Sequence, residues 1–356
     1  MKKLFFLAVL LSLSFVGYYF VDFQSISSNL ITGEFSTSDT ISSVADQGNV
    51  EVYFCPRDNC DLVLEQFIDS AQESIHCAFF ELDLDNLRNL ILEKSEQIDV
   101  RIVTDNQYLY EFNHSFVKTD TYGLMHNKFC IIDGKRVSTG SMNPTNNGAF
   151  KNNNNLLLID SKILARNYQD EFNELWNGTF KKGDKVRNPQ LLIGNTTVQN
   201  YFCPEDHCTE KVKEELRKAQ KSVYFMTFSF TDDGIANVLL LKKLDGVDIK
   251  GVMEARQVTK YSVFSLLEYQ GVDVVKDKNP ANMHHINNLS KQYSCPKLGV
   301  LHHKVFVIDN KTVITGSFNP TNNGDKRNDE NLLIIHSPDI ARAFLDEFDC
   351  IWARNH

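Results

Sequence analysis

Hydrophobic residues are concentrated in one long run at the start of the chain. The run extends from Leu4 to Val21, is interrupted only by serines and a glycine, and follows two lysines. At about 1.5 Å per residue in a helix, it is just long enough to cross a hydrocarbon core of about 30 Å. Positive charge before an apolar run predicts export. We favour an uncleaved signal anchor over residues 1–24, which would hold the rest of the chain at the membrane and outside the cytoplasm. A cleaved signal peptide, giving a secreted protein, is the alternative.

Short apolar runs alternate with amphipathic stretches after residues 25–48, a segment rich in Ser and Thr that we expect to be a tether. The first apolar run, Val50–Phe54, precedes a helical pattern, and a second strand pattern follows at Ile75–Phe80. The series ends with an amphipathic helical pattern over Ile163–Trp176. Strands that alternate with helices predict an α/β fold in which helices cover both faces of a sheet.

The whole series occurs twice. The motif Tyr-Phe-Cys-Pro-x-Asp-x-Cys begins at Tyr53 and returns at Tyr201, and the motif Gly-Ser-x-Asn-Pro-Thr-Asn-Asn-Gly begins at Gly140 and returns at Gly316. Repetition of this kind indicates a duplicated structural unit. We therefore expect a first half over residues 49–177, a linker over 178–196 and a second half over 197–356.

The most informative motif is a histidine and a lysine two residues apart, present once in each half. His126 and Lys128 lie at positions i and i+2 of a predicted strand, and His302 and Lys304 repeat the arrangement. Side chains at i and i+2 of a strand project from the same face. Each half therefore presents an imidazole and an ammonium group together.

A Gly-Ser-x-Asn segment follows each of these strands. Ser141 and Asn143 share one face, as do Ser317 and Asn319, and the glycine before each pair lets a ligand approach the backbone. One imidazole, one ammonium, one hydroxyl and one amide per half form a set suited to binding a phosphate. If the halves face each other, one histidine can attack phosphorus while the other protonates the leaving oxygen, with no metal or other cofactor required.

The two complete motifs make the chain resemble the phospholipase D superfamily, which is named for its HKD motif. The resemblance covers roughly residues 49–354 and implies an α/β fold with two similar halves. Each half would be a mixed sheet flanked by helices, with a pseudo-twofold relation and one shared active site at the interface. It also implies cleavage of phosphodiesters through a phosphohistidine. It adds Asp133 and Asp309 to the expected catalytic residues, although both fit structural turn roles equally well.

The second half is most similar to small bacterial nucleases and to mitochondrial cardiolipin hydrolases. Those proteins usually carry one motif per chain and dimerise. Here both motifs lie in one chain, so the resemblance implies a monomer that needs no protein partner.

The two halves differ where the family usually has a carboxylate that supports the histidine. The second half has Glu330 at that place, and the first half has Asn154. A carboxylate favours the imidazolium form, whereas an amide only orients the ring. We expect Glu330 to support His302 as the general acid, and Asn154 to orient a neutral His126 as the nucleophile. In the alternative, Glu330 strengthens His302 as the nucleophile. A third possibility is that the chain has lost catalysis and only binds.

The cysteines suggest local cross-links, since an exported domain can form disulfides. We predict that the repeated motif closes two short disulfide loops, Cys55–Cys60 and Cys203–Cys208. A zinc site that uses all four sulfurs, with or without His207, is the alternative. Cys77 and Cys130 lie in apolar strands and are expected to be buried small residues.

Composition narrows the choice of substrate. Lys and Arg number 37 against 46 Asp and Glu, so the net charge is −9, which argues against a chain that coats nucleic acid through bulk charge. The acidic balance and the predicted anchor favour phospholipid hydrolysis of the phospholipase D type, with the membrane as a partner. Resemblance to small nucleases, and the lack of an aromatic interfacial loop, keep cleavage of DNA or RNA as the alternative. Phosphatidyl transfer to an alcohol is a third reading.

Overall fold

The structure is a computed structural model that describes residues 43–277 and 299–355. The predicted signal anchor over 1–24 and most of the expected tether lie outside the described residues. Within the described ranges, the helices are too short or too polar for any of them to span a bilayer.

The first half forms a seven-stranded mixed sheet with helices on both faces. The elements in chain order are β1 (Val44–Asp46), β2 (Val50–Cys55), α1 (Cys60–Asp69), β3 (Ser74–Phe79), α2 (Asp85–Ser95), β4 (Asp99–Thr104), β5 (Val117–Thr119), β6 (Leu124–Met125), β7 (Lys128–Ile132), β8 (Arg136–Gly140), α3 (Asn146–Phe150), β9 (Asn154–Asp160) and α4 (Lys162–Trp176). A short 3-10 helix, Leu109–Glu111, lies between β4 and β5. The strand order in the sheet is β2-β9-β8-β7-β3-β4-β5, in which β3, β4 and β5 are parallel and the remaining neighbours are antiparallel.

The second half repeats this plan in a second mixed sheet. Its elements in chain order are β10 (Gln190–Ile193), β11 (Thr196–Cys203), α5 (Cys208–Arg217), β12 (Ser222–Thr227), α6 (Asp233–Leu244), β13 (Asp248–Glu254), α7 (Phe264–Tyr269), β14 (Asp273–Asp277), β15 (Lys304–Ile308), β16 (Thr312–Gly316), α8 (Asn322–Lys326), β17 (Asn328–His336) and α9 (Pro338–Ala353). A 3-10 helix, Ala255–Gln257, follows β13. The strand order is β1-β10-β11-β17-β16-β15-β12-β13-β14, and β6 also pairs with β17.

The predicted α/β class, with two mixed sheets flanked by helices, is confirmed. Two strands lie in segments for which we expected no regular structure. β1 falls within the expected tether and β10 within the expected linker, and they pair with each other at the edge of the second sheet. The end of the expected tether and part of the expected linker therefore belong to the second sheet.

The alternation of side chains along the strands divides the interior into three apolar clusters. Ile75 and Phe79 of β3 pack with α1 and α2 on the outer face of the first sheet. Ala78, on the opposite face of β3, belongs to a central cluster that contains residues of both halves. An outer cluster of the second half corresponds to that of the first.

Helices α4 and α9 lie in the central cluster, between the two sheets. Leu164, Tyr168 and Phe172 recur at every fourth position of α4 and are fully buried, as the predicted amphipathic pattern requires. Each helix begins at a serine whose hydroxyl accepts a backbone N–H of the first turn, Ser161 for α4 and Ser337 for α9. Both sheets thus share one core.

Each half also places a short extended segment against the other half. β6 of the first half pairs in parallel with the start of β17, and Leu301 of the second half forms a parallel bridge with Asn153, just before β9. The histidine motif follows immediately after each of these segments. The exchange therefore brings the two motifs to the interface.

The disulfides agree only in part with the sequence-based prediction. The loops Cys55–Cys60 and Cys203–Cys208 are both closed by disulfides, which removes the zinc alternative because the sulfurs are bonded to each other. Cys77 and Cys130 are fully buried in their strands, as expected, but the cross-link between them was not predicted. They are opposite each other in β3 and β7 and form a third disulfide. Cys350 is also disulfide-bonded.

Candidate active site

The two histidines meet at the interface because each is held by the backbone of the opposite half. The N–H of His126 donates to the carbonyl of Asp329 at 3.0 Å, and the N–H of His302 donates to the carbonyl of Asn153 at 2.9 Å. Both imidazoles belong to buried residues, with exposures of 7% and 9%. The site is therefore built jointly by the two halves.

This exchange decides which side chain supports which histidine. Nδ1 of His126 lies 2.8 Å from Oε2 of Glu330, and Nδ1 of His302 lies 2.8 Å from Oδ1 of Asn154. The expected pairing of Glu330 with His302, and of Asn154 with His126, is therefore wrong. Each supporting residue directly follows the carbonyl that holds the opposite histidine, so support crosses the interface.

The hydrogen bonds of Asn154 determine the protonated nitrogen of His302. Nδ2 of Asn154 donates to the carbonyl of Gly148 at 3.0 Å, so its Oδ1 must face the imidazole. An amide oxygen only accepts, so Nδ1 of His302 carries a proton and Nε2 has a free lone pair in the neutral ring. His302 is therefore oriented as a nucleophile at Nε2.

His126 also carries its proton on Nδ1 in the neutral ring, but its partner, Glu330, is a carboxylate and not an amide. Glu330 is completely buried and accepts hydrogen bonds from Ser317 Oγ at 2.7 Å and Asn328 Nδ2 at 3.1 Å. Its Oε2 also accepts from Nδ1 of His126. A carboxylate in this position stabilises a second proton on the ring at Nε2. The halves thus present one charge-supported and one amide-supported histidine.

The serines support these partners and do not face a substrate. Ser141 is fully buried, donates its hydroxyl proton to Asn154 Oδ1 at 3.1 Å and accepts the N–H of Asn155 at 3.0 Å. Ser317 is bonded in the same way to Glu330 and to the N–H of Asn331. A hydroxyl has a single proton, and here that proton is already donated. The expectation that both serines bind the phosphate does not fit this geometry; they are positioning residues.

Two buried lysines make the site electropositive. Lys128 and Lys304 are 3% and 2% exposed, and each ammonium donates to the carbonyl of its own motif histidine, at 2.6 and 2.9 Å. Burial lowers the pKa of Lys128 to about 7 and holds the pKa of Lys304 well below its usual range, with Lys128 adding repulsion. Each ammonium also lies over a phenylalanine ring, Phe80 or Phe228. Glu330 acts on both lysines and two further carboxylates act on Lys128, but burial outweighs them, so a bound anion would favour the charged form of both lysines.

Burial and the lysine charges also affect the pKa values of the two imidazoles. Burial and the two ammonium groups hold the pKa of His126 well below its usual range. The pKa of His302 is lowered by the same causes and additionally by charge on His126. Burial raises the pKa of Glu330 to about 7, against the opposing effect of Lys128. Within the pair of histidines, a charge on His126 therefore disfavours a proton on His302.

Asp133 and Asp309 lie far from the histidines. The strand between His126 and Asp133 separates them by about 20 Å. The Asp133 carboxylate accepts three backbone N–H groups, from residues 72–74, and Asp309 does the same with residues 220–222. Burial alone would raise the pKa of Asp133, but these donors outweigh it and hold that pKa below its usual range. Both aspartates close turns with positive φ, so the structural alternative fits and a catalytic role does not.

The predicted asparagines flank the site with half-buried side chains. Nδ2 of Asn143 donates to Glu81 at 3.3 Å. The amide oxygens of Asn143 and Asn319 are buried and, within the part of the chain that the structure describes, have no hydrogen-bond partner. These amides remain candidates for contact with a substrate.

A group of carboxylates at the edge of the site was missed by the sequence reasoning. Glu81 follows Phe80, whose ring lies 4.9 Å from that of His126. Burial raises the pKa of Glu81 to about 7, and the charges of Glu111 and Asp83 contribute to the shift. The available signal was a carboxylate placed directly after an apolar strand. The repeat has Ser229 at the position that corresponds to Glu81, so the second half lacks this carboxylate.

Comparison with known proteins agrees with this geometry. Residues 64–176 and 212–352 match the family model described as "Cardiolipin synthase, PLD-like domain". These segments make up most of the chain and contain both histidine motifs. The chain belongs to the phospholipase D superfamily and is a phosphodiesterase of the phospholipase D type.

Two relatives and a solved structure are similar to between 30% and 83% of the chain. Phospholipase D of Rickettsia typhi is 31% identical over 161 residues, which is 45% of this chain and 69% of that protein. The mitochondrial cardiolipin hydrolase of Xenopus tropicalis is 33% identical over 117 residues, 30% of this chain and 56% of that protein. The crystal structure of phosphatidylserine synthase from Haemophilus influenzae Rd KW20 matches 83% of this chain and 85% of its own, with a TM-score of 0.61 and 11% identity. That structure shares the fold across both halves.

Proposed function

We propose that the protein hydrolyses phospholipids by phospholipase D-type cleavage through a phosphohistidine. The observation that carries this proposal is the pair of buried imidazoles, each supported by the opposite half, beside two lysine ammonium groups. A phosphodiester anion between them would compensate the excess positive charge. It would also bring one phosphorus atom within reach of both rings.

In the first step, Nε2 of His302 attacks phosphorus and the bond from phosphorus to the leaving oxygen breaks. His126, protonated at Nε2, gives that proton to the leaving oxygen. The ammonium groups of Lys128 and Lys304 stabilise the charge on the non-bridging oxygens. In the second step, neutral His126 removes a proton from water as the water oxygen attacks phosphorus. The bond to His302 then breaks and the starting protonation state returns.

These roles reverse those expected from the sequence, and the reversal follows from the crossed support. The acid must be protonated and the nucleophile neutral at the same moment. Glu330 favours the protonated form of His126, whereas Asn154 can only accept the Nδ1 proton of a neutral His302. We therefore assign His302 as the nucleophile and His126 as the general acid.

The preference for lipid over nucleic acid rests on the acidic edge of the site. Glu81, Asp83 and Glu111 would repel the consecutive phosphates of a polynucleotide but would leave room for a single phosphodiester with a neutral or cationic head group. The relative named phospholipase D, the net charge of −9 and the predicted anchor point the same way. We further propose that the protein acts as a monomer, without a catalytic metal, on the outer side of the membrane.

The test compares substrates directly. The full chain, reconstituted with phosphatidylcholine or phosphatidylglycerol vesicles, is assayed for head-group release beside single-stranded DNA and RNA, with and without EDTA. His302→Asn and His303→Asn form a matched pair, because His303 is a buried neighbour and the first half has Asn127 at the corresponding place. The proposal predicts head-group release that is lost in H302N and retained in H303N. Cleavage of oligonucleotide with intact lipid would establish the endonuclease instead, and product formed only with an added alcohol would establish a transferase. Loss of activity in EDTA while the protein stays folded would contradict the metal-free scheme.

A further inference from the structure

Two equivalent corners of the molecule, one in each half, differ in charge. In the first corner, Arg57 lies in the Cys55–Cys60 loop and its Nη1 forms a salt bridge of 2.9 Å with Glu347 of α9. The sequence repeat places Glu205, in the Cys203–Cys208 loop, where Arg57 stands, and Glu171 of α4 where Glu347 stands. The second corner therefore has two carboxylates where the first has a guanidinium and a carboxylate.

The carboxylates of the second corner converge. Oxygen atoms of Glu171, Glu174 and Glu205 all lie within 4.8 Å of one another. Glu171 is only 6% exposed, and among the described residues neither it nor Glu205 has an ion-pair partner. Burial of unpaired carboxylates is costly, so the corner needs a compensating charge or proton.

An unpartnered amide oxygen lies on the same helix face. Asn167 is one turn before Glu171 on α4 and is 3% exposed, and it lines a cavity of about 350 Å³ together with Glu171 and Glu174. The Nδ2 of Asn167 donates to the carbonyl of Asn188 at 2.8 Å, which fixes the orientation of the side-chain amide and leaves Oδ1 as the free atom. That oxygen is buried and has no hydrogen-bond partner among the described residues. A buried amide oxygen without a partner, at a cavity that Glu171 and Glu174 also line, is suited to binding a cation.

The positive side chains at the cavity do not supply the missing charge. Lys185 and Arg187 line it but are exposed, and Arg187 lies 3.4 Å from Asp170. Among the described residues, the buried carboxylate of Glu171 and the half-buried carboxylate of Glu205 are therefore left without a compensating positive side chain.

We propose that Glu171, Glu174, Glu205 and the amide oxygen of Asn167 bind one divalent cation, Ca²⁺ in preference to Mg²⁺. All the ligands are oxygens, which suits a hard cation, and the cavity leaves room for the waters that complete a coordination shell of six to eight. The ion takes the place that the Arg57 guanidinium has in the other corner. It joins α4 of the first half to the Cys203–Cys208 loop of the second. The site is separate from the phosphodiester chemistry and does not depend on the proposed substrate.

The experiment measures binding and stability in the full chain. After removal of divalent ions with EDTA and buffer exchange, Ca²⁺ or Mg²⁺ is titrated by calorimetry, and the unfolding midpoint is followed by circular dichroism. We expect one Ca²⁺ per chain, at least tenfold weaker binding of Mg²⁺, and a higher midpoint with Ca²⁺. Absence of Ca²⁺ binding would overturn the proposal. A midpoint that depends on pH but not on Ca²⁺ would also overturn it, because the carboxylates would then share a proton.

Variants copy one corner into the other. Glu205→Arg reproduces the pair of Arg57 with Glu347, so it should abolish Ca²⁺ binding and raise the midpoint of the ion-free protein. If E205R fails to fold, Glu171→Gln provides the second test and should weaken Ca²⁺ binding at least tenfold. Glu347→Gln is the matched control, which should lower the midpoint but leave Ca²⁺ affinity unchanged. Equal loss of affinity in E347Q would overturn the assignment of the site.

Discussion

Glu330→Gln tests the crossed support of the two histidines. The change removes the negative charge beside His126 and keeps nearly the same size and shape. The chain already shows that an amide can hold such a ring, because Asn154 accepts the Nδ1 proton of His302 at 2.8 Å. We therefore expect E330Q to keep the orientation of His126 and to lose only the stabilisation of its imidazolium form.

The size of the effect follows from the contact. A hydrogen bond to a charged group contributes about 1.5–3 kcal/mol, and the Glu330 carboxylate lies 2.8 Å from His126 Nδ1 in a buried site. One pKa unit corresponds to about 1.4 kcal/mol. Loss of the carboxylate should therefore lower the pKa of His126 by about one to two units.

The assay is the pH dependence of kcat for head-group release. The basic limb of this profile reports the protonated general acid, and the acidic limb reports the neutral nucleophile. If His126 is the acid, E330Q moves the basic limb to lower pH by about one to two units and leaves the acidic limb in place.

The opposite outcome would refute the assignment. If E330Q shifts only the acidic limb, the charge of Glu330 acts on the nucleophile, and His126 takes that role. Glu347→Gln is the control, since Glu347 is also a buried carboxylate near a histidine, 3.5 Å from Nε2 of His303. E347Q should reduce stability by removing its salt bridge, with both limbs unchanged.

Three further predictions concern groups around the site. Asp309→Ala leaves three backbone N–H groups without their acceptor. We expect the free energy of unfolding, measured in urea, to fall by about 2–3 kcal/mol while kcat of the folded enzyme stays unchanged. A loss of kcat would instead indicate a catalytic role for Asp309. Because burial lowers the pKa of Lys128 to about 7, its ammonium group loses its charge as the pH rises through that value. We therefore expect the affinity for inorganic phosphate, measured by calorimetry, to fall above pH 7. A constant affinity from pH 6 to 9 would contradict this prediction. Glu81→Gln removes one negative charge of the acidic edge, so we expect a single-stranded oligonucleotide to bind several-fold more tightly, as measured by fluorescence anisotropy. An unchanged affinity would show that this edge does not exclude polyanions.

The sequence allowed the fold class and the candidate site to be predicted, because both are expressed locally and are repeated. The alternation of strands and helices, the two histidine motifs and the disulfide loops of the repeated Cys-Pro motif are all visible within short windows. A pattern that occurs twice also shows where the two copies differ, for example where the first half has Asn154 and the second half has Glu330.

Pairings between distant segments could not be read in this way. The exchange of β6 onto β17 places His126 beside Glu330, but nothing in the local sequence distinguishes this from support within one half. The disulfide of Cys77 with Cys130 likewise depends on the register of β3 against β7, which are not consecutive strands. In both cases the deciding contact is set by packing of the halves or sheets and not by local propensity.

The measurement that tests the central claim most directly is the position of the covalent intermediate. The full chain is mixed with phospholipid vesicles, quenched rapidly under alkaline conditions that preserve phosphohistidine, digested and analysed by mass spectrometry. We predict a phosphatidyl or phosphoryl adduct on the peptide that contains His302, and none on the peptide that contains His126. An adduct on His126 would reverse the roles of the two rings. Turnover without an adduct on either histidine, under conditions that trap the intermediate in a related enzyme, would contradict the phosphohistidine mechanism.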